Sequence, residues 1–323
     1  MKYLAMLALF LGLSAAQAQG SPQPSPHSID IPSWFTESFL EMREDVREAA
    51  AQGKWVMLYF GQDGCPYCTA LMQTNFSQRS ITDKTRRHFV AIALNIWGDR
   101  EVVWLDGRRM SEKALGGELR LQFTPTLLFL DEKGAVVLRL NGYLPPHRFE
   151  AALNYAAGLA GKGMRYDEYI KTAIKESASA TLHDETFFVA PPVVLQGTKP
   201  VALLFETPYC AGCDELHREG LQRPEVHKLL ERFSVYRLAL GDMRTPKTTW
   251  ARELRVAYTP TIVFFDRGKE VFRIDAYLRP FHLASALDYV ASGAYRKEPS
   301  FQRYVQARAE RLRARGEKVD LWN

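Results

Sequence analysis

Every cysteine of this 323-residue chain falls in one of two Cys-x-x-Cys motifs, Cys65-Pro66-Tyr67-Cys68 and Cys210-Ala211-Gly212-Cys213, and the sequence around the second repeats that around the first. A short apolar run precedes each motif, Val56 to Phe60 and Val201 to Phe205. Runs this short and uniformly apolar suit strands buried on both faces of a sheet. Helical stretches follow, Thr69 to Phe76 and Asp214 to Leu221, and then further apolar strands, Phe89 to Ile96 and Phe233 to Leu240. Phe123-Thr124-Pro125-Thr126 matches Tyr258-Thr259-Pro260-Thr261. Each leads into a strand, a Gly-containing turn and another strand, which is the pattern of a hairpin. Tyr143-Leu144-Pro145-Pro146 matches Tyr277-Leu278-Arg279-Pro280, and each unit closes with a helix, Arg148 to Ala157 or His282 to Ala291.

The matched cysteines are 145 positions apart and the matched prolines 135, so the first unit carries ten extra residues between its motifs. They fall around Trp97 to Leu115, where Asp106-Gly107 reads as a hairpin tip. The expected fold is α/β: two tandem copies of one domain, each β-α-β-α-β-β-α, with a central mixed sheet flanked by helices. Each Cys-x-x-Cys stands where a central strand ends and a helix begins. An introductory helix, Trp34 to Gln52, stops at Gly53. The expected boundaries are 31–162 for the first domain, 163–198 for a helical linker with Tyr166 to Ala178 as its helix, and 199–323 for the second domain with a C-terminal helix.

The N-terminus reads as a targeting signal. Lys2 begins it, Tyr3 to Ala16 is an apolar stretch of 14 residues, and Ala16-Gln17-Ala18 is a small-residue cleavage site. A bilayer needs about 20 apolar residues to be crossed, so this stretch suits a signal peptide, 1–18, better than an anchor. Residues 19–30, rich in Pro and Ser, read as a flexible lead-in. The mature chain is expected in an exported compartment, best a bacterial periplasm, where disulfides persist, with no stable membrane insertion after cleavage. A net charge of +5 gives no reason to expect nucleic acid, because Lys and Arg are scattered among acids. The basic run Arg308 to Arg315 shares a terminal helix with Phe301, Tyr304, Val305 and Leu312, at spacing suited to lying on the second domain.

Four cysteines permit three pairings, and pairing within each motif is the easiest geometrically. A four-residue loop gives about 2 kcal/mol of entropic stabilisation, against about 5 kcal/mol for a loop of about 146 residues. Such bonds are poor staples, which points to chemistry. A cysteine at a helix start meets unpaired N–H groups and the positive dipole end, which favour the reactive thiolate. Cys65 and Cys210, the N-terminal and more exposed members, are the expected nucleophiles, and Cys68 and Cys213 the resolving thiols. Three other readings stay open: a four-cysteine zinc site, a copper site from Cys210, Cys213 and a His217 otherwise read as a surface group, and an inert disulfide in a degenerate second copy. Pro125 and Pro260 are either ordinary prolines at strand starts or cis-prolines beside the disulfides.

The order strand, Cys-x-x-Cys, helix, Thr-Pro, hairpin, helix resembles the thioredoxin superfamily, over nearly all of the mature chain and in two copies. The first unit is most similar to SoxW-like periplasmic thioredoxins. Gly64-Cys65-Pro66-Tyr67-Cys68, Gly98 to Val102, Ser111 to Leu115, Phe123 to Thr126 and Gly142 to Pro146 carry that likeness. The resemblance implies thiol–disulfide exchange with protein thiols and disulfides in the periplasm, an unidentified electron donor, no cofactor and no metal, and cis bonds at Pro125 and Pro260. It implies that Tyr67 covers one side of the first site, and that Thr124 with Pro125, and Thr259 with Pro260, dock the substrate backbone. Such folds often carry a buried acid six residues before the first cysteine, where this chain has Tyr59 and Leu204. Glu206, four before Cys210, is the candidate for proton transfer, and Asp63 reads as solvated. The expected function is a protein-disulfide reductase with two active sites. The rival is a binding module for a client protein or for zinc or copper, with one or both motifs inert.

Overall fold

The computed structural model describes residues 29–159, 163–240, 246–256, 258–275 and 278–322. The expected signal peptide 1–18 and all but the end of the lead-in lie outside the described residues. The first unit runs α1 (Met42–Ala51), β1 (Trp55–Gly61), α2 (Pro66–Ala70), a π-helical turn (Leu71–Asn75), α3 (Arg79–His88), β2 (Phe89–Asn95), β3 (Glu101–Val103), β4 (Arg109–Ser111), α4 (Glu112–Glu118), β5 (Thr126–Leu130), β6 (Val136–Asn141) and α5 (Pro146–Ala156). Helix α6 (Tyr166–Ala173) follows. The second unit runs β7 (Val201–Glu206), α7 (Ala211–Glu215), a π-helical turn (Leu216–Leu221), α8 (Pro224–Leu230), β8 (Ser234–Ala239), α9 (Pro246–Glu253), β9 (Thr261–Asp266), β10 (Lys269–Ile274), α10 (Pro280–Ala291) and α11 (Phe301–Ala314).

The two sheets have one topology, β2-β1-β5-β6 and β8-β7-β9-β10. In each, the strand before the cysteines pairs parallel with the next strand and antiparallel with the strand after Thr-Pro. The apolar runs are central strands, covered on both faces by separate clusters of buried side chains. Two tandem copies of one mixed-sheet α/β domain are therefore present, as the repeat implied. The extra residues of the first copy form the β3–β4 hairpin, in which Gly107 N–H bonds the Trp104 carbonyl at 2.8 Å.

Three expected elements differ. The introductory helix begins at Met42, not Trp34, because Trp34 and Phe35 pack edge-on against Phe76 and the Thr36 N–H bonds the Ala91 carbonyl at 2.7 Å. The helix after each motif begins earlier than expected, at Pro66 and Ala211, and widens into a π-helical turn. The linker helix stops at Ala173, where Ile174 turns extended. Beyond it Glu176 is held by Arg148, and the Ser179 N–H by Asp214 at 2.7 Å.

The C-terminal helix α11 buries Phe301, Tyr304 and Val305 in the second unit, and it also reaches the first. Gln302 donates to the Gln122 carbonyl and accepts from Gln62, both at 2.8 Å. Phe123, just before the first Thr-Pro, sits in the second unit's core against Phe272 and Phe301. The two copies are thus joined by a shared aromatic cluster as well as by the chain.

Candidate active site

Each motif starts a helix in the same way. Cys65 and Cys210 are extended N-caps, and each sulfur accepts the N–H of the cysteine three residues on, Cys68 or Cys213, at 3.1 Å. A sulfur at the N-cap meets one of the orphan N–H donors of a helix start, which favours its anionic form once the disulfide opens. Gly64 delivers Cys65 with φ +72°, a conformation glycine takes at little cost. In the second copy Tyr209 takes the same left-handed conformation, with its N–H held by the Ser179 carbonyl at 2.8 Å. The cysteines pair within each motif, Cys65 with Cys68 and Cys210 with Cys213, at Cα separations of 5.2 Å.

The Thr-Pro loops close over these sulfurs. Both Thr124-Pro125 and Thr259-Pro260 are cis, as is Pro191-Pro192. Thr124 Oγ1 donates to Cys65 Sγ at 3.3 Å, and Thr259 Oγ1 to Cys210 Sγ at 3.5 Å. The Thr124 carbonyl oxygen is 3.4 Å from Cys65 Sγ. Helix start and cis-proline loop therefore converge on one sulfur in each copy.

Exposure departs from the expectation at Cys65. It is only 4% exposed, barely more than Cys68 at 0%, whereas Cys210 is half-buried and Cys213 buried. The second copy covers the first site. Tyr67 is buried, its hydroxyl sharing a hydrogen bond with His282 Nδ1 at 3.1 Å and its ring lying 5.4 Å from that of Trp322. Trp322 also packs on Tyr143 and lies under the Arg279 guanidinium. Tyr67 therefore joins the copies instead of presenting its ring to solvent. Burial pulls the His282 imidazole down to about 4, so it is neutral at ordinary pH.

The converse contact is made by Arg148, whose Nη1 is 3.8 Å from where a Cβ on Gly212 would stand. Its guanidinium also forks onto Glu176 at 2.8 Å. Cys65 and Cys210 line a single cavity of about 1750 Å³ between the copies, with Thr124, Thr259 and Pro260.

The second site has a buried polar chain beside it. His217 is not the surface group its helical position suggested, being 0% exposed. The π-helical turn carries it inward, where Nε2 meets Glu206 and Nδ1 meets Glu185, each at 2.8 Å. Burial lowers the imidazolium's affinity for its proton, but the two facing carboxylates outweigh burial and raise it above the ordinary value. His183 stacks on His217 at 4.5 Å and bonds Asp214 at 2.7 Å. Glu206 Oε2 is buried with no protein partner among the described residues. In the first copy the matching region holds Tyr59, whose buried hydroxyl likewise has none. Asp63 is exposed. Among the described residues no group of three or more His, Cys, Asp and Glu is arranged to hold a metal ion, and no helix is long and apolar enough to cross a membrane.

Sequence reasoning missed His282, Arg148, Trp322, Glu185 and His183 as neighbours of the sites. A signal existed for the first two: each is the third residue of the closing helix, two after the matched Pro146 and Pro280.

The thioredoxin-like domain model matches residues 42–157 and again 189–291. A thioredoxin-fold protein from Helicobacter pylori is 25% identical, with 42% of this chain covering 91% of that one at a TM-score of 0.31. A thioredoxin from Thermus thermophilus is 26% identical, with 38% of this chain covering 91% of that one at a TM-score of 0.30. The oxidised C-terminal domain of Neisseria meningitidis DsbD is 18% identical, with 38% of this chain covering 99% of that domain at a TM-score of 0.28. No curated protein matches the chain. With two spans matched, this chain belongs to the thioredoxin-like domain family, in two copies.

Proposed function

We propose that this protein is a periplasmic protein-disulfide reductase, its first copy SoxW-like, which exchanges disulfides with protein clients and is recharged by an electron donor yet to be identified. One observation carries the reading: in each copy a helix-start N–H and a threonine hydroxyl from a cis-proline loop converge on the N-terminal cysteine sulfur. Both donors favour thiolate over thiol, and the thiolate is the nucleophile in exchange.

In the reductive direction the Cys65 or Cys210 thiolate attacks a client disulfide. A mixed disulfide forms, and one client sulfur leaves as thiolate. Cys68 or Cys213 then loses its proton and attacks the mixed disulfide, which closes the motif's own disulfide and frees the second client thiolate. Pro125 and Pro260 carry no N–H, so the adjoining Thr124 and Thr259 backbone is left to pair with an extended client segment. Glu206, held by His217, takes the Cys213 proton in the second copy.

The trapping variants Cys68→Ser and Cys213→Ser test this. Each is expected to accumulate mixed disulfides with exported proteins, cleaved by dithiothreitol and absent when Cys65 or Cys210 of the same motif is also replaced. Trapped species that persist without the N-terminal cysteines would overturn the assignment, as would the absence of any.

A further inference from the structure

The two motifs line one cavity, and each is met by a residue of the other copy. Arg148 and His282 hold the same position in α5 and α10, and Tyr67 and Gly212 hold the same position in the two Cys-x-x-Cys loops. His282 meets Tyr67 and Arg148 meets Gly212, so the contact between copies is reciprocal, like that of a two-fold dimer. Each copy thereby occupies ground beside the other's motif that an outside client would have to enter. Cys65 is 4% exposed and Cys210 half-buried, and both line one cavity.

We propose that the two sites exchange disulfides with each other, the second copy being the partner of the first, with Cys210 as the sulfur through which electrons from the outside donor enter. This rests on the oxidoreductase reading above and adds an internal partner to it. The Cys210 thiolate attacks Cys65 Sγ; the Cys210–Cys65 bond forms as Cys65–Cys68 breaks, and Cys68 leaves as a thiolate that takes up one proton. Cys213 gives up one proton and attacks Cys210 Sγ; Cys210–Cys213 forms as Cys210–Cys65 breaks, and Cys65 leaves as a thiolate. One electron pair moves from the second site to the first, which is reduced as the second is oxidised. No net proton is taken up and no outside oxidant is consumed. A tethered partner acts at millimolar effective concentration when the geometry lets the two meet, which favours the internal reaction over encounters with dilute clients.

The full chain carrying Cys68→Ser and Cys213→Ser keeps only Cys65 and Cys210. Oxidised with diamide at low micromolar concentration, it is expected to form the Cys65–Cys210 disulfide within one chain, identified by peptide mass, in most molecules and at a rate independent of protein concentration. Only intermolecular dimers, or only free thiols, would overturn the proposal; Cys68→Ala with Cys213→Ala repeats the trap should the serines disturb folding. As a second readout, a protein with only the first site, Cys210→Ser with Cys213→Ser, is expected to reduce a folded protein disulfide at least tenfold more slowly than wild type. An equal rate would contradict the entry through Cys210. Wild type that reduces the protein disulfide while the trap yields no internal bond sinks the relay alone. Wild type without turnover sinks the oxidoreductase reading, and the relay with it.

Discussion

The Tyr67 hydroxyl and His282 Nδ1 meet at 3.1 Å, fastening the Cys-x-x-Cys loop of the first copy to the last long helix of the sheet domain in the second. A dipeptide residue beside a redox pair is thereby held by a domain 215 residues further along the chain. The imidazole that holds it is buried and neutral, with burial as the cause. The stability of the contact therefore depends on pH in a definite direction.

His282 titrates near 4 when folded and near 6.5 when unfolded, so between these values the unfolded chain binds the extra proton. Its contribution to stability is complete above about pH 6.5 and is lost as the pH falls towards 4, by about 3 kcal/mol. His282→Leu is expected to flatten urea-midpoint stability between pH 6.5 and 4.5, and to cost about 1 kcal/mol at pH 7 for the lost hydrogen bond. A variant as steep as wild type over that window would refute the buried neutral state.

His217 has the opposite sign. Its folded affinity for a proton is raised by Glu206 and Glu185 against the effect of burial, so its contribution is present below about pH 6.5 and lost as the pH rises through the raised value. Replacing it by Leu leaves the buried Glu206 without its histidine, at a cost of about 3–5 kcal/mol. The gap between wild type and His217→Leu in chemical denaturation should narrow from pH 6 to pH 9. A gap that widens would mean the ring is not held protonated by the carboxylates.

Phe123→Ala removes a first-copy ring from the second copy's core, where it packs 5.9 Å from Phe272 and 5.7 Å from Phe301. The expected loss is about 3–5 kcal/mol, together with faster alkylation of reduced Cys65 as the copies separate. A loss under about 1 kcal/mol with unchanged alkylation would show that the aromatic cluster does not hold the copies together.

Tyr59→Phe deletes a buried hydroxyl that has no protein partner among the described residues, and should stabilise the first copy by about 1 kcal/mol or more. Thermal unfolding checks this, and a destabilised variant would show that the hydroxyl is satisfied in solution.

Much of the fold was legible because the sequence states it twice. Val56 to Phe60 and Val201 to Phe205 are uniformly apolar because they are central strands, and that pattern needs no tertiary information. The cis-prolines were implied by the resemblance to thioredoxins, and the pairing within each motif by its close spacing. What eluded sequence reasoning lies between the copies. Nothing local to His282 says that it meets Tyr67, and nothing local to Phe123 says which core it enters. Cys65 is only 4% exposed, where a reading made one motif at a time expected the more exposed member of the pair. His217 was misplaced for a different reason: a π-helical turn shifts the faces of the helix after the motif, and ordinary helical spacing does not anticipate it.

The proposed function requires Cys65 and Cys210 to be nucleophiles of thiol–disulfide exchange. Reduction of insulin disulfides with dithiothreitol as donor tests it most directly, comparing wild type with Cys65→Ser, Cys210→Ser and the double variant. Wild type should exceed the uncatalysed rate many-fold, each single variant should lose activity, and the double variant should fall to the uncatalysed rate. Wild type no faster than dithiothreitol alone, or a double variant as active as wild type, would contradict it.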